Sequence, residues 1–144
     1  MYVSITGLRL NSFLYAPKFM YYAVPSMIQA QSAEGNVMAQ ARNVDGVHHT
    51  LSVWEDRKSM LKYLRSSDHA KAMKIFDDIA TGKTYGYEID SAQEIPTWEE
   101  AVELYNTKGR EVGKAGREKR AAERRGEACP HLAVSSSESA TVLP

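Results

Sequence analysis

Three side chains in this sequence have the chemistry that a small-molecule site needs: His48, Trp54 and His69. An imidazole titrates near neutral pH and can exchange a proton at one nitrogen while a hydrogen bond holds the other. An indole offers a flat stacking surface and a single N–H donor. His49 follows His48 directly, but adjacent strand residues point to opposite faces and cannot chelate one ion, so no metal site is expected there. Tyr85 and Tyr87 read as strand packing. Cys129 is the only cysteine, which excludes an intrachain disulfide and a CxxC metal site. Cys129-Pro130-His131 has the form of the short Cys-Pro element through which some proteins sense heme, here as an isolated dipeptide.

The elements that must position these residues follow from periodicity. Residues 2–10 alternate loosely and are rich in β-formers, which predicts a first strand. Between Ala16 and Gln31, Met20, Ala23, Val24, Met27 and Ile28 recur at spacings of three and four and predict a helix with that face buried. Pro25 inside it implies a kink or a helix start. Alternation over 37–44 and 47–54, joined by Asp45-Gly46, predicts a hairpin. Glu55-Asp56 then opens a helix carrying Met60, Leu61 and Leu64. Ser66-Ser67-Asp68 interrupts it and caps a second segment with His69, Ala72, Met73, Phe76 and Ala80 inward. Thr81-Gly82 is expected to end that helix, and 83–89 forms a fourth strand. Thr97 and Glu100 form a capping box for a last helix that runs to Gly109.

Strand, helix, strand, strand, helix, strand is the split βαβ order, an α+β ferredoxin-like sandwich with both crossover helices on one face of the sheet. On the third strand Val47, His49, Leu51 and Val53 share one face, and His48, Thr50, Ser52 and Trp54 the other. Placing the apolar set under the helices leaves His48 and Trp54 on an open face with Tyr2, Ser4 and Thr6. Such a face would be closed most simply by a second copy, giving a homodimeric barrel with a partly polar cavity in each subunit for a small hydrophobic or aromatic molecule.

At 144 residues the chain has room for one domain, expected over 1–113. Residues 114–144, basic and then Ser-rich, carry no apolar stripe and are expected to be largely disordered. Eighteen basic residues balance eighteen acidic ones, so no net charge draws the chain to nucleic acid, and the basic run before Arg125 lacks interleaved aromatics for base stacking. No apolar run is long enough to span a bilayer and the N-terminus lacks a secretory pattern, so a cytoplasmic protein is expected.

The stretch Thr50-Leu51-Ser52-Val53-Trp54-Glu55-Asp56, then Met60, then Ser66-Ser67-Asp68-His69-Ala70-Lys71-Ala72-Met73 resembles the antibiotic-biosynthesis-monooxygenase type of dimeric α+β barrel. Pro96-Thr97-Trp98-Glu99-Glu100-Ala101 and Gly109-Arg110 resemble its uncharacterised branch near spheroidene monooxygenase. The resemblance spans roughly residues 1–110. It implies a monooxygenase-like oxidoreductase that works on an aromatic or polyene ligand, with no cofactor or with heme, since cofactor-free, heme-degrading and heme-containing oxygenases share the fold, as do proteins without known activity. In its heme-degrading members an asparagine, a tryptophan and a histidine form the site, and Asn11, Trp54 and His69 stand in loosely comparable places. The competing expectation is a non-catalytic module with its cavity packed shut.

Overall fold

A computed structural model describes residues 1–126; Cys129 and the Ser-rich end lie outside the described residues. Five strands, β1 (Tyr2–Leu10), β2 (Asn36–Val44), β3 (Val47–Trp54), β4 (Ala80–Glu88) and the short β5 (Arg110–Glu111), form one antiparallel sheet in the order β2-β3-β1-β4-β5. The expected α+β ferredoxin-like order is therefore present, with β5 added at one edge. The β2–β3 hairpin turns at Asp45 and Gly46, whose φ values of 51° and 78° are the positive pair that this tight turn requires.

Helix α1 (Ala16–Gln31) runs through Pro25. Helices α2 (Arg57–Leu64) and α3 (Ser67–Ile79) are separated at Arg65-Ser66, so the interruption expected over Ser66-Ser67-Asp68 falls slightly earlier and Ser67 and Asp68 open α3; the side chain of Asp56 accepts from the Ser59 amide to cap α2. The buried residues of α1 are Phe19, Ser26 and Ala30, whereas Ile28 of the expected stripe is 60% exposed. The ring of Phe19, outside that stripe, packs on Phe76 of α3 with centroids 4.8 Å apart, so the buried face of α1 is offset from the one that hydropathy alone selects. Nor does Thr81-Gly82 end α3: the helix stops at Ile79 and both residues belong to β4.

The two faces of the sheet are covered by different helices. Helices α1, α2 and α3 lie over the face that carries Ser4, Thr6, Leu8, His48, Thr50, Ser52 and Trp54. The opposite face carries Val3, Ile5, Val47, Leu51 and Val53, and it packs against Ala101 and Tyr105 of α4 (Trp98–Lys108). Strand parity thus divides the residues as expected, but the assignment of the faces is inverted: His48 and Trp54 lie under the crossover helices rather than on an open surface. The apolar set does meet a helix, and that helix is α4. Because α4 covers Val3, Ile5, Leu51 and Val53, the centre of that face among the described residues needs no second copy to close it.

The capping box of Thr97 and Glu100 starts α4, with the Thr97 Oγ1 accepting from the Glu100 amide and the Glu100 carboxylate accepting from the Thr97 amide at 2.8 Å. Expected disorder beyond 113 gives way over its first part to α5 (Gly113–Arg124). Polar contacts rather than an apolar stripe hold this helix: Asp77 of α3 accepts from the Lys114 amide and pairs with Arg117 at 2.7 Å. No helix among the described residues is long and apolar enough to cross a membrane.

Candidate functional site

Between the sheet and helices α1–α3 lies a cavity of about 320 Å³. Its floor is a row of strand hydroxyls and one imidazole: Ser4 and Thr6 of β1, with His48, Thr50 and Ser52 of β3. Its roof is apolar, built from Phe19, Ala23 and Met27 of α1, Met60 of α2, and Met73 and Phe76 of α3. The floor follows from β-strand alternation and the roof from one face of each helix, so two periodicities produce a slot with a polar side and an apolar side. The expectation of a cavity packed shut is not met.

Trp54 closes one end. It is fully buried, its Nε1–H donates to Ser52 Oγ at 2.9 Å, and its ring stacks on Tyr63 of α2 with centroids 5.2 Å apart and planes 25° from parallel. The Tyr63 hydroxyl in turn lies 3.1 Å from His69 Nδ1 and 2.9 Å from Ser26 Oγ, and it donates to the Ser26 carbonyl at 2.9 Å. Ser26 Oγ is 3.2 Å from the same His69 nitrogen. Helices α1, α2 and α3 each contribute one member to this polar cluster in an otherwise apolar roof.

Burial lowers the His69 pKa from 6.5 to about 4, because a charged imidazolium would lose its hydration among apolar neighbours. The ring is therefore neutral at pH 7. Burial also raises the Tyr63 pKa, against a smaller opposing contribution from its bond to Ser26, so the phenol keeps its proton. His48 is lowered by burial as well; it packs against Phe19 at 4.5 Å and lies 3.4 Å from the Asn43 side-chain amide.

Seven of the residues singled out from the sequence line this cavity: Ser4, Thr6, His48, Thr50, Ser52, Trp54 and His69. Two do not. Tyr2 lies on the correct face of β1 but covers Gly86 of β4, where an added Cβ would meet its hydroxyl. Asn11 is exposed just past β1, with its backbone amide donating to the Ile79 carbonyl, so the asparagine, tryptophan and histidine grouping of the heme-degrading members is not assembled. His49 points to the other face, under Tyr105, as the alternation required.

Sequence reasoning missed Ser26 and Tyr63. One signal for Ser26 was available: a hydroxyl occupies position 26 between Ala23 and Ala30 on one helical face. Tyr63 carries no such mark beside Met60 and Leu64. The lining does not suit heme. Its one cation is Arg42, whose guanidinium sits 5.0 Å over the Trp98 ring on the far side of the sheet, leaving the carboxylates of a heme without a partner. Among the described residues no group of three or more His, Cys, Asp or Glu could hold a metal ion.

No protein-family model matches the chain, and no curated protein matches it in sequence. Solved structures do match it in shape. A protein from Deinococcus radiodurans named as an antibiotic biosynthesis monooxygenase aligns over 67% of this chain and 100% of its own, with 17% identity and a TM-score of 0.59. SnoaB of Streptomyces nogalater, a cofactor-independent oxygenase, aligns over 65% of this chain and 96% of its own, with 10% identity and a TM-score of 0.52. A Nitrosomonas europaea protein named like the first gives 14% identity, 64% and 99% coverage, and a TM-score of 0.55. The finer likeness to spheroidene monooxygenase is not supported by these structures. The chain thus shares its α+β fold with these three solved structures.

Proposed function

We propose that this protein is a monooxygenase-like enzyme that takes an aromatic or polyene ligand into the cavity beneath α1–α3 and promotes its reaction with dioxygen. The observation that carries this reading is a neutral histidine, His69, fixed by two hydroxyl groups inside an apolar slot. Three of the residues named from the sequence divide the work. His69 accepts a proton from the ligand, Trp54 closes the slot beside it, and His48 meets the ligand from the floor.

Loss of the proton of a ligand hydroxyl leaves the ligand anionic, and an electron-rich anion can transfer an electron to dioxygen directly; the radical pair combines to a hydroperoxide that loses water, so that the ligand supplies the electrons and the second oxygen atom leaves as water. An imidazolium formed beside that anion is stabilised by it, which offsets the low basicity that burial imposes on the empty site. The apolar roof excludes water that would otherwise quench the reactive pair. The names of SnoaB and its neighbours lend support at the level of reaction class only. A cytoplasmic setting belongs to the same proposal.

Oxygen consumption with a panel of hydroxylated aromatics, in wild type and in His48→Ala, Trp54→Ala and His69→Ala, tests it. Turnover is expected to fall by about 100-fold or more in His69→Ala, the usual contribution of a general base. Unchanged binding and turnover in the variant with all three alanines would sink the assignment.

A further inference from the structure

The contacts in the cluster at the end of the cavity bear on which His69 nitrogen carries the proton. Four short contacts join Ser26, Tyr63 and His69: Ser26 Oγ to Tyr63 Oη at 2.9 Å, Ser26 Oγ to Nδ1 at 3.2 Å, Tyr63 Oη to Nδ1 at 3.1 Å, and Tyr63 Oη to the Ser26 carbonyl at 2.9 Å. The serine and the tyrosine hydroxyls hold one proton each, and the carbonyl can only accept. If Nδ1 were bare, two protons would serve four contacts, and two pairs of lone pairs would face each other within hydrogen-bond distance. With a proton on Nδ1 every contact is covered. Tyr63 donates to the carbonyl, Ser26 donates to Tyr63, and Nδ1–H is shared between the two oxygens.

Nε2 is then the bare nitrogen. It has no protein partner among the described residues, and the ring lines the cavity. We infer that Ser26 and Tyr63 are positioning residues that hold His69 as its Nδ1–H tautomer, so that Nε2 accepts a hydrogen bond and the site selects ligands bearing a hydroxyl or N–H donor over their ketone, quinone or ether counterparts. This rests on the cavity being the ligand site but not on oxygen chemistry. It specifies one feature of the ligand that neither the fold nor the shape of the slot does. The tautomer also decides the direction of proton movement, because a bare Nε2 can only receive.

Two measurements test it. Nitrogen NMR of His69 in the wild-type chain is expected to show the proton on Nδ1, and a proton on Nε2 would overturn the inference without any mutation. Binding of naphthol and of its methyl ether gives the second test, since the ether keeps the ring and loses the donor. Wild type is expected to favour naphthol by about 10-fold, the worth of one buried hydrogen bond. In the folded double variant Ser26→Ala, Tyr63→Phe the preference is expected to fall below about 3-fold, because the proton is then free to occupy Nε2, which can donate to the ether oxygen. Equal binding of the two probes by wild type, or an undiminished preference in the double variant, would overturn it. Filling the slot with Ala23→Trp separates the two proposals. If naphthol binding survives that change, the cavity itself is not the ligand site; if it is abolished while the NMR shows Nε2–H, only the tautomer assignment fails.

Discussion

The two faces of this sheet are built to opposite specifications. On the α4 side Val3, Ile5, Leu51 and Val53 are at most 2% exposed and pack directly on Ala101 and Tyr105. On the α1–α3 side the same strands present hydroxyls and an imidazole to a cavity. A single set of strands thus supplies a close-packed layer from one parity of residues and the polar floor of a cavity from the other. The lesson is that stability can be concentrated on one side so that the other is free to stay imperfectly filled.

The sharpest way to break this comparison is to change adjacent residues of β3. Leu51→Ala removes packing from the dry side and is expected to cost about 2–5 kcal/mol, whereas Thr50→Ala faces the cavity and is expected to cost about 1 kcal/mol or less. Urea unfolding of both variants measures the difference, and equal losses would refute the division of labour.

A pH dependence of similar size belongs to the cavity side. Burial holds the folded pKa of His69 near 4 against 6.5, so the unfolded chain binds the proton first as pH falls. The stability associated with the neutral ring is fully present above pH 6.5 and is lost as pH falls toward 4, on the order of 3 kcal/mol. His69→Gln is expected to flatten that part of the profile. Some slope remains, because His48 and His49 are also lowered by burial and act in the same direction. An unchanged profile would mean that His69 is hydrated in the folded state.

Gly7 probes the dry side from within. A Cβ there would lie 2.7 Å from Tyr105 Cε2 and 2.8 Å from His49 Nδ1, so Gly7→Ala is expected to push α4 outward at a cost of about 1–3 kcal/mol. A crystal structure of the variant with α4 unmoved would contradict this. The smallest effect is expected for Arg117→Ala on α5, because the guanidinium end of its pair with Asp77 is largely exposed: about 1 kcal/mol or less, shrinking in high salt.

The elements were legible in the sequence because their signals are local. Asp45-Gly46 marks the hairpin, Ser66 the break between α2 and α3, and Thr97 with Glu100 the start of α4. Parity along β3 was legible for the same reason. Which helix covers which face was not, since hydropathy states that Leu51 and Val53 need a cover but does not name it. Both the short helix after Thr97 and the crossover helices qualified, and only three-dimensional packing decides between them. The site was half legible: histidine and tryptophan announce their chemistry, whereas Ser26 and Tyr63 matter through a meeting of three helices that no local pattern encodes.

The placement of the two tryptophans gives the molecule a built-in pair of optical reporters. Trp54 is sealed against Tyr63 at the end of the cavity, and Trp98 sits on the other side of the sheet beneath the Arg42 guanidinium, its Nε1–H donating to Gln40 at 3.3 Å. With Trp98→Phe the remaining emission follows occupancy of the slot, and with Trp54→Phe it follows the docking of α4. Each half of the fold can therefore be watched separately, in the dark of the other, without attaching a dye.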